Sequence, residues 1–245
     1  MAGRDLGPRA FAEDALYEPS TGVLRTIVKL AVFDLENTLI FNEFLPELAA
    51  LVGKEDDVGA ITRAGIDGRI DWEQGFRMRA QLLKGLTHAQ ILRAARRLRP
   101  VPGAQSFVHW LRSQGNKVVT ITGGPREVAE SAVAHFDIDA AFSNEFVYED
   151  GVFTGEVVIN VSPRTKGEIV RALAAKWGFR KEDILAFGDG LMDVPLLSEA
   201  GVALGINTEG KLRDHVAFET TDYQEAHKWL LEKGVLRPAN SEGQD

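Results

Sequence analysis

The chain has 245 residues, with 28 Lys and Arg against 36 Asp and Glu, a formal net charge of −8. That acidic balance argues against a nucleic-acid backbone as the main partner, because such binding is driven by clustered Lys and Arg. The sequence holds no cysteine, which removes disulfides, thiolate nucleophiles and Cys-ligated zinc or iron–sulfur sites.

Residues 1–25 mix charges with turn-forming stretches such as Gly7-Pro8 and read as a flexible extension. They lack the apolar segment of a secretory signal. No apolar run in the chain approaches the ~18–20 residues of a membrane span, so the reading is a soluble cytoplasmic protein with no membrane partner. Ile27 to Phe33 (IVKLAVF) is short, β-branched and nearly all apolar, the pattern of a central parallel strand buried on both faces. From Glu43 to Leu98 the pattern turns helical. Trp72, Phe76, Arg79 and Leu83 share one helix face by their spacing, and Thr87-His88-Ala89-Gln90 fits a capping box. Pro100-Val101-Pro102-Gly103 ends this block.

An alternation follows. A helix is predicted over 104–114, closed by Gly115, then a strand over 117–121 and a helix opening at Pro125. Residues 145–160 read as a hairpin turning at Glu149-Asp150-Gly151. Ser162-Pro163 opens a helix that runs to Trp177-Gly178. Strand 184–187, a short helix near 192–199, strands 201–204 and 215–218 and a helix over 222–233 complete the run; the tail from Asn240 reads as frayed. Repeated strand–helix units imply an α/β fold, a Rossmann-like parallel sheet with helices on both faces. The helical insertion after the first strand reads as a cap. The expected division is a discontinuous core over 26–44 and 101–238 and a helical cap over 45–100.

Three strand ends carry chemistry. A carboxylate at the end of a buried strand is costly unless something binds it, and in Val32–Leu39 (VFDLENTL) Asp34 and Glu36 stand there together. The second strand ends in ITGGP, where Thr122 precedes Gly123 and Gly124, glycines that let a ligand approach and expose backbone N–H groups to an anion. The third ends in GDGLMD, with Asp189 and Asp193. Acidic strand ends suit a hard cation such as Mg²⁺, which prefers oxygen ligands and accommodates a phosphate beside it. Each taken alone is equally a turn or a helix cap; that account must be invoked three times in one chain. Lys166 sits in the first turn of the helix after Ser162-Pro163, where a cation is disfavoured by the helix dipole unless an anion neighbours it.

Asp34-x-Glu36-x-Thr38, Thr122, Lys166 and Gly188-Asp189-Gly190-x-x-Asp193 together resemble the four motifs of the haloacid dehalogenase superfamily of phosphotransferases, in the right order. Within it the chain looks most like the phosphoserine phosphatase branch, through FDLENTLIFNE, WEQGFRMRAQLLKGL and EDGVFTGEV. The resemblance implies a β-hairpin flap and a Mg²⁺-dependent phosphomonoester hydrolase acting on a small phosphorylated metabolite, first of all O-phosphoserine. Asp34 would be the nucleophile. Glu36 would be the acid and base, with its backbone carbonyl joining Asp34 and Asp189 at the metal. Thr122, Lys166 and the Gly123 N–H would hold the phosphoryl oxygens, and Asp193 would fix Lys166. Glu43 and Arg79 would bracket the amino and carboxylate groups of the substrate. Three positions depart from that branch: Glu36 replaces an aspartate, Asn37 a serine and Met192 an asparagine. They leave open a phosphatase or phosphotransferase for another small phosphometabolite, or a catalytically silent phosphate-binding relative. The five histidines show no ligand spacing, and Arg93, Arg96, Arg97 and Arg99 read as a solvated helix face.

Overall fold

The computed structural model describes residues 28–237; the expected N-terminal extension, Ile27 of the first strand and the tail from Asn240 lie outside the described residues. Strand β1 (Leu30–Phe33) is wholly buried. It is flanked in the sheet order β4-β3-β2-β1-β5-β6-β7 by β2 (Lys117–Pro125) and β5 (Ile184–Gly188). Beyond them lie β3 (Ala140–Glu149) and β4 (Val152–Val158) on one side, and β6 (Val202–Ile206) and β7 (Phe218–Thr220) on the other. All neighbours pair in parallel except β4, which returns antiparallel on β3. A near-continuous apolar run at the centre and helices on both faces follow from that arrangement. The chain leaves β1 to opposite sides for β2 and β5, and the crevice beyond the carboxyl ends at such a reversal is where ligands bind in open parallel sheets.

The block between β1 and β2 is helical, as its periodicity predicts: α1 (Phe44–Ala50), α2 (Glu55–Ile66), α3 (Trp72–Leu82), α4 (His88–Ala95) and α5 (Ala104–Ser113). The Thr87–Gln90 capping box is formed at the start of α4. Four helices follow: α6 (Arg126–Phe136), α7 (Pro163–Trp177), α8 (Val194–Leu197) and α9 (Tyr223–Glu232). Helix α7 has the predicted bounds, with Ser162 as N-cap and Gly178 left-handed at φ 68°.

Several boundaries differ from expectation: β3 begins at Ala140, ahead of the hairpin expected from 145, and β6 runs to Ile206 instead of ending at 204. Strand β2 continues beyond Ile121 through Gly123, Gly124 and Pro125, because β3 offers Asn144 as a pairing partner for Pro125 after a register shift. Helix α6 accordingly opens at Arg126, with Pro125 still extended. The last strand begins at Phe218 rather than at 215, since turn bonds such as His215 N–H to Leu212 O (2.7 Å) occupy the preceding residues.

Phe33 of β1 stacks flat on Phe187 of β5 with ring centroids 4.5 Å apart. Phe107 of α5 meets both edge-on, and Tyr223 of α9 closes the group, its hydroxyl donating to Thr38 O at 3.1 Å. This aromatic cluster fixes the chain just past β1. The hydrophobic cluster on this face runs without a break into Leu45, Leu48, Val58, Phe76, Ala80 and Leu83 of the insert.

The hairpin is fastened to the insert. Gly85 N–H donates to Phe153 O (2.9 Å), Phe153 N–H to Leu86 O (2.8 Å) and His88 N–H to Gly151 O (2.8 Å), and the Gln81 amide donates to Gly155 O (3.1 Å). The His88 ring lies 4.7 Å from that of Tyr148, whose hydroxyl donates to the buried Glu127 carboxylate at 2.5 Å. Thr87 and Val152 form an antiparallel bridge between those backbone bonds, and such non-hydrogen-bonded pairs hold their Cα atoms ~4.5 Å apart. The double variant Thr87→Cys, Val152→Cys therefore forms a disulfide in a chain with no competing thiol. Its oxidised form melts higher than its reduced form, by about 2–4 kcal/mol in stability. Equal melting temperatures with and without reductant, once mass spectrometry has confirmed the bond, would contradict this tether.

Candidate active site

The carboxyl ends of β1, β2 and β5 converge on one pocket of about 250 Å³, lined among others by Asp34, Glu36, Glu43, Arg79, Thr122, Gly123, Lys166, Asp189 and Asp193. All the residues singled out by sequence are therefore together. At its floor the Lys166 ammonium donates to Asp34 Oδ1 and to Asp193 Oδ1, both at 2.6 Å, and all three residues are buried. Burial alone would lower the lysine, but the carboxylates of Asp193 and Asp34 outweigh it and hold Lys166 above its usual range. The anion that excuses a cation in the first turn of α7 is thus a pair of carboxylates.

The loop after β5 aims Asp193 by its own backbone, for Asp193 Oδ2 accepts from Asp189 N–H (3.1 Å) and Gly190 N–H (3.3 Å). Two glycines are required by this packing. A Cβ at Gly188 would lie 2.6 Å from that of Asp193, and one at Gly167 would lie 2.5 Å from Pro195 O, where α7 passes the start of α8.

Carboxylate oxygens of Asp34, Asp189 and Asp193 lie within 4.8 Å of one another. One lysine faces three carboxylates, and Asp189 has no cation in ion-pair range among the described residues. Burial and the charges of Asp34 and Asp193 push Asp189 up to about 8; burial and Asp193 push Asp34 up to about 6 against the pull of Lys166. An all-oxygen donor set with surplus negative charge fits a hard divalent cation.

Glu36 uses its extra methylene to reach the start of α1, where its Oε1 accepts from Phe44 N–H at 2.8 Å. Burial pushes this carboxyl up to about 7. Thr122 is buried at the end of the apolar stretch of β2 and its Oγ1 accepts from Gly124 N–H at 2.9 Å, which shapes the glycine turn. Trp72, at the start of α3, lies against Gly123, where a Cβ would sit 2.8 Å from the indole. Phe76 stacks on Trp72 with centroids 5.2 Å apart. One turn further on, Arg79 lines the same pocket, its guanidinium donating among the described residues only to Gly75 O (3.2 Å) and Thr62 Oγ1 (3.4 Å). Burial lowers it from the usual arginine range while the charges of Glu36 and Glu43 oppose that. It makes no ion pair among the described residues. Met192 lines the pocket and is exposed.

Two positioning asparagines carry no sequence signal. Asn144 of β3, fully buried, donates to Gly123 O (2.8 Å) and Val161 O (3.0 Å) and accepts from Asn160 and Val161 N–H at 2.8 Å each. It binds the glycine turn of β2 to the approach of α7. Asn207, past β6, donates to Asn37 O at 2.8 Å and so holds the loop after β1. A register shift beside a strand and a left-handed residue are visible only once the chain is folded.

The family profile described as "Hydrolase: haloacid dehalogenase-like hydrolase" matches residues 28–201. The chain belongs to the haloacid dehalogenase-like hydrolases. It is 31% identical over 205 residues to the phosphoserine phosphatase of Methanocaldococcus jannaschii, covering 82% of this chain and 97% of that protein. It is 34% identical over 208 residues to that of Halobacterium salinarum, covering 84% and 99%. A solved structure described as a phospho-aspartyl intermediate analogue of phosphoserine phosphatase superposes with a TM-score of 0.77 at 30% identity, covering 83% of this chain and 99% of that one. This haloacid dehalogenase-like fold thus holds the parallel sheet, helical insert and hairpin expected from sequence. No helix among its described residues is long and apolar enough to cross a membrane.

The crowded carboxyl at Asp189 yields a test of the cation. If Mg²⁺ is the cation this donor set takes, adding it is expected to raise the melting temperature of the wild-type protein, by about 2.7 kcal/mol in stability at 100 times its Kd. Near neutral pH Asp189→Asn melts higher than wild type without the ion, because burial and its acidic neighbours hold the wild-type carboxyl protonated at a cost in folding free energy that an amide does not carry, and it gains nothing from Mg²⁺. A thermal shift by Mg²⁺ that persists in Asp189→Asn would place the ion elsewhere.

Proposed function

We propose that the protein is a Mg²⁺-dependent phosphomonoester hydrolase that works through an aspartyl-phosphate on Asp34, with O-phosphoserine as its first candidate substrate. The observation that carries this reading is the Asp34 carboxylate at the mouth of β1, held from the side by Lys166 at 2.6 Å. A carboxylate so fixed is aimed as a nucleophile, and its lysine neighbour stands ready to bind the phosphoryl oxygens it attacks. In this reading residues 26–44 and 101–238 form the core and 45–100 the cap.

Asp34 attacks phosphorus, and the P–O bond to the substrate alcohol breaks as the new one forms. Glu36 gives its proton to the departing oxygen and then takes one from the water that cleaves the acyl phosphate. A carboxyl pushed up to about 7 is partly protonated near neutrality and serves in both directions. Lys166, the Thr122 hydroxyl and the Gly123 N–H hold the phosphoryl oxygens, where charge spreads in the transition state. Asp193 keeps Lys166 charged and in place. Asp34, Asp189 and the Glu36 carbonyl would hold Mg²⁺, which supplies neutralisation of phosphate charge.

The substrate assignment rests on the far wall. Arg79 is a half-buried guanidinium with no carboxylate in ion-pair range among the described residues, and Glu43 lines the same pocket. Together they suit a small phosphorylated zwitterion, the Arg taking its carboxylate in a planar fork. Trp72 and Phe76 supply the apolar wall between. The similar proteins of Methanocaldococcus jannaschii and Halobacterium salinarum, both phosphoserine phosphatases, support that reading.

Two outcomes test the reading. Asp34→Asn abolishes phosphate release from O-phosphoserine and p-nitrophenyl phosphate while circular dichroism shows the fold retained; turnover within tenfold of wild type would remove Asp34 from the role of nucleophile. Arg79→Ala raises KM for O-phosphoserine by about 10–100-fold, the weight of a charged hydrogen-bonded pair, with KM for p-nitrophenyl phosphate changed far less. Equal effects on both substrates would refute the carboxylate clamp.

A further inference from the structure

The loop after β1 contains an interaction that the motif does not require. Asn37 is left-handed, φ 57°, a conformation that Asn adopts more readily than other residues with a Cβ. Its carbonyl is pinned by the Asn207 amide at 2.8 Å. From that backbone its side-chain Nδ2 donates to Glu43 Oε1 at 3.3 Å. Asn37 and Glu43 both line the pocket. Glu43 is the exposed residue before α1, and no cation pairs with it among the described residues. An exposed glutamate keeps most of its rotamer freedom unless something holds it.

We propose that Asn37 is a positioning residue that sets substrate specificity: it holds one oxygen of Glu43 and leaves the carboxylate poised to accept from the ammonium group of the substrate. The inference rests on the assignment of Glu43 to that ammonium in the preceding section. Serine in the same place has a shorter side chain and a larger cost in the left-handed region, so the asparagine is suited both to the backbone and to the reach.

Asn37→Gly isolates the amide, because glycine keeps the left-handed backbone and the carbonyl that Asn207 grips. Steady-state kinetics with Mg²⁺ are compared on O-phosphoserine and on 3-phosphooxypropionate, the same ester without the amino group. Asn37→Gly raises KM for O-phosphoserine about fivefold, the weight of one hydrogen bond, with kcat within about twofold, and shifts KM for 3-phosphooxypropionate less than about twofold. A loss of general loop structure would move both substrates alike, and that result, or no change on either, overturns the proposal. Glu43→Gln is measured in parallel. If it too is selective for O-phosphoserine while Asn37→Gly is not, Glu43 recognises the ammonium without help and only the role of Asn37 falls. If Glu43→Gln does not discriminate between the two esters, the ammonium assignment itself fails and the proposal falls with it.

Discussion

A buried lysine between two carboxylates is the constraint on which the rest of the site depends. Each of these ions loses several kcal/mol of hydration on burial, and removing one partner of such a set leaves an uncompensated charge. Lys166 must therefore arrive where Asp34 and Asp193 already point, and three separate parts of the chain are shaped to make that meeting possible. Strand β1 ends at Asp34 in the centre of the sheet, α7 presents Lys166 in its first turn, and the loop after β5 folds Asp193 back over Gly188. Gly167 lets the two backbones come close enough for the ammonium to touch both carboxylates. The pairing neutralises part of the charge but not all of it: Asp189 makes a third carboxylate, and the balance is left for a cation.

That same geometry explains what could be read beforehand. Each acidic strand end is legible because an apolar run stopping at a carboxylate is conspicuous in one dimension, and the capped start of α7 at Ser162 is a local signal. The helical insert and the hairpin are legible from periodicity and turn residues, whereas Glu43 and Arg79 enter as site residues only through the resemblance to the phosphoserine phosphatase branch. What was hidden depends on pairing across the fold. The extension of β2 through two glycines needs Asn144 opposite Pro125, and the hairpin's bonds to residues 85–88 join segments some 65 positions apart in sequence. Periodicity put Trp72, Phe76 and Arg79 on one face; it gave no means of knowing that the face meets Gly123 and an open pocket instead of a closed core.

Met192 and Asn37, two departures from the branch pattern, have different standing in the fold. Met192 is exposed at the pocket wall, and its thioether takes no part in the hydrogen bonds around Lys166. The work of orienting Asp193 falls to the Asp189 and Gly190 amides instead. Asn37 is left-handed, its carbonyl held by Asn207 and its side-chain amide bonded to Glu43.

Glu36 joins the two halves of the pocket. A glutamate in place of an aspartate carries its carboxyl one bond further from β1, and near-attack geometry is sensitive to displacements of ~1 Å. Here the added reach is taken up by the Phe44 N–H, the first amide of α1, immediately after Glu43. The proposed acid and base is thereby anchored to the first amide of α1, directly after Glu43, the carboxylate proposed to meet the substrate. A shift of α1 that repositioned Glu43 would also draw on the bond that holds Glu36. In the proposed reading, the acid at the sheet edge and the carboxylate at the start of the insert are in this way joined through the Phe44 amide and, by way of Asn37, through the loop after β1.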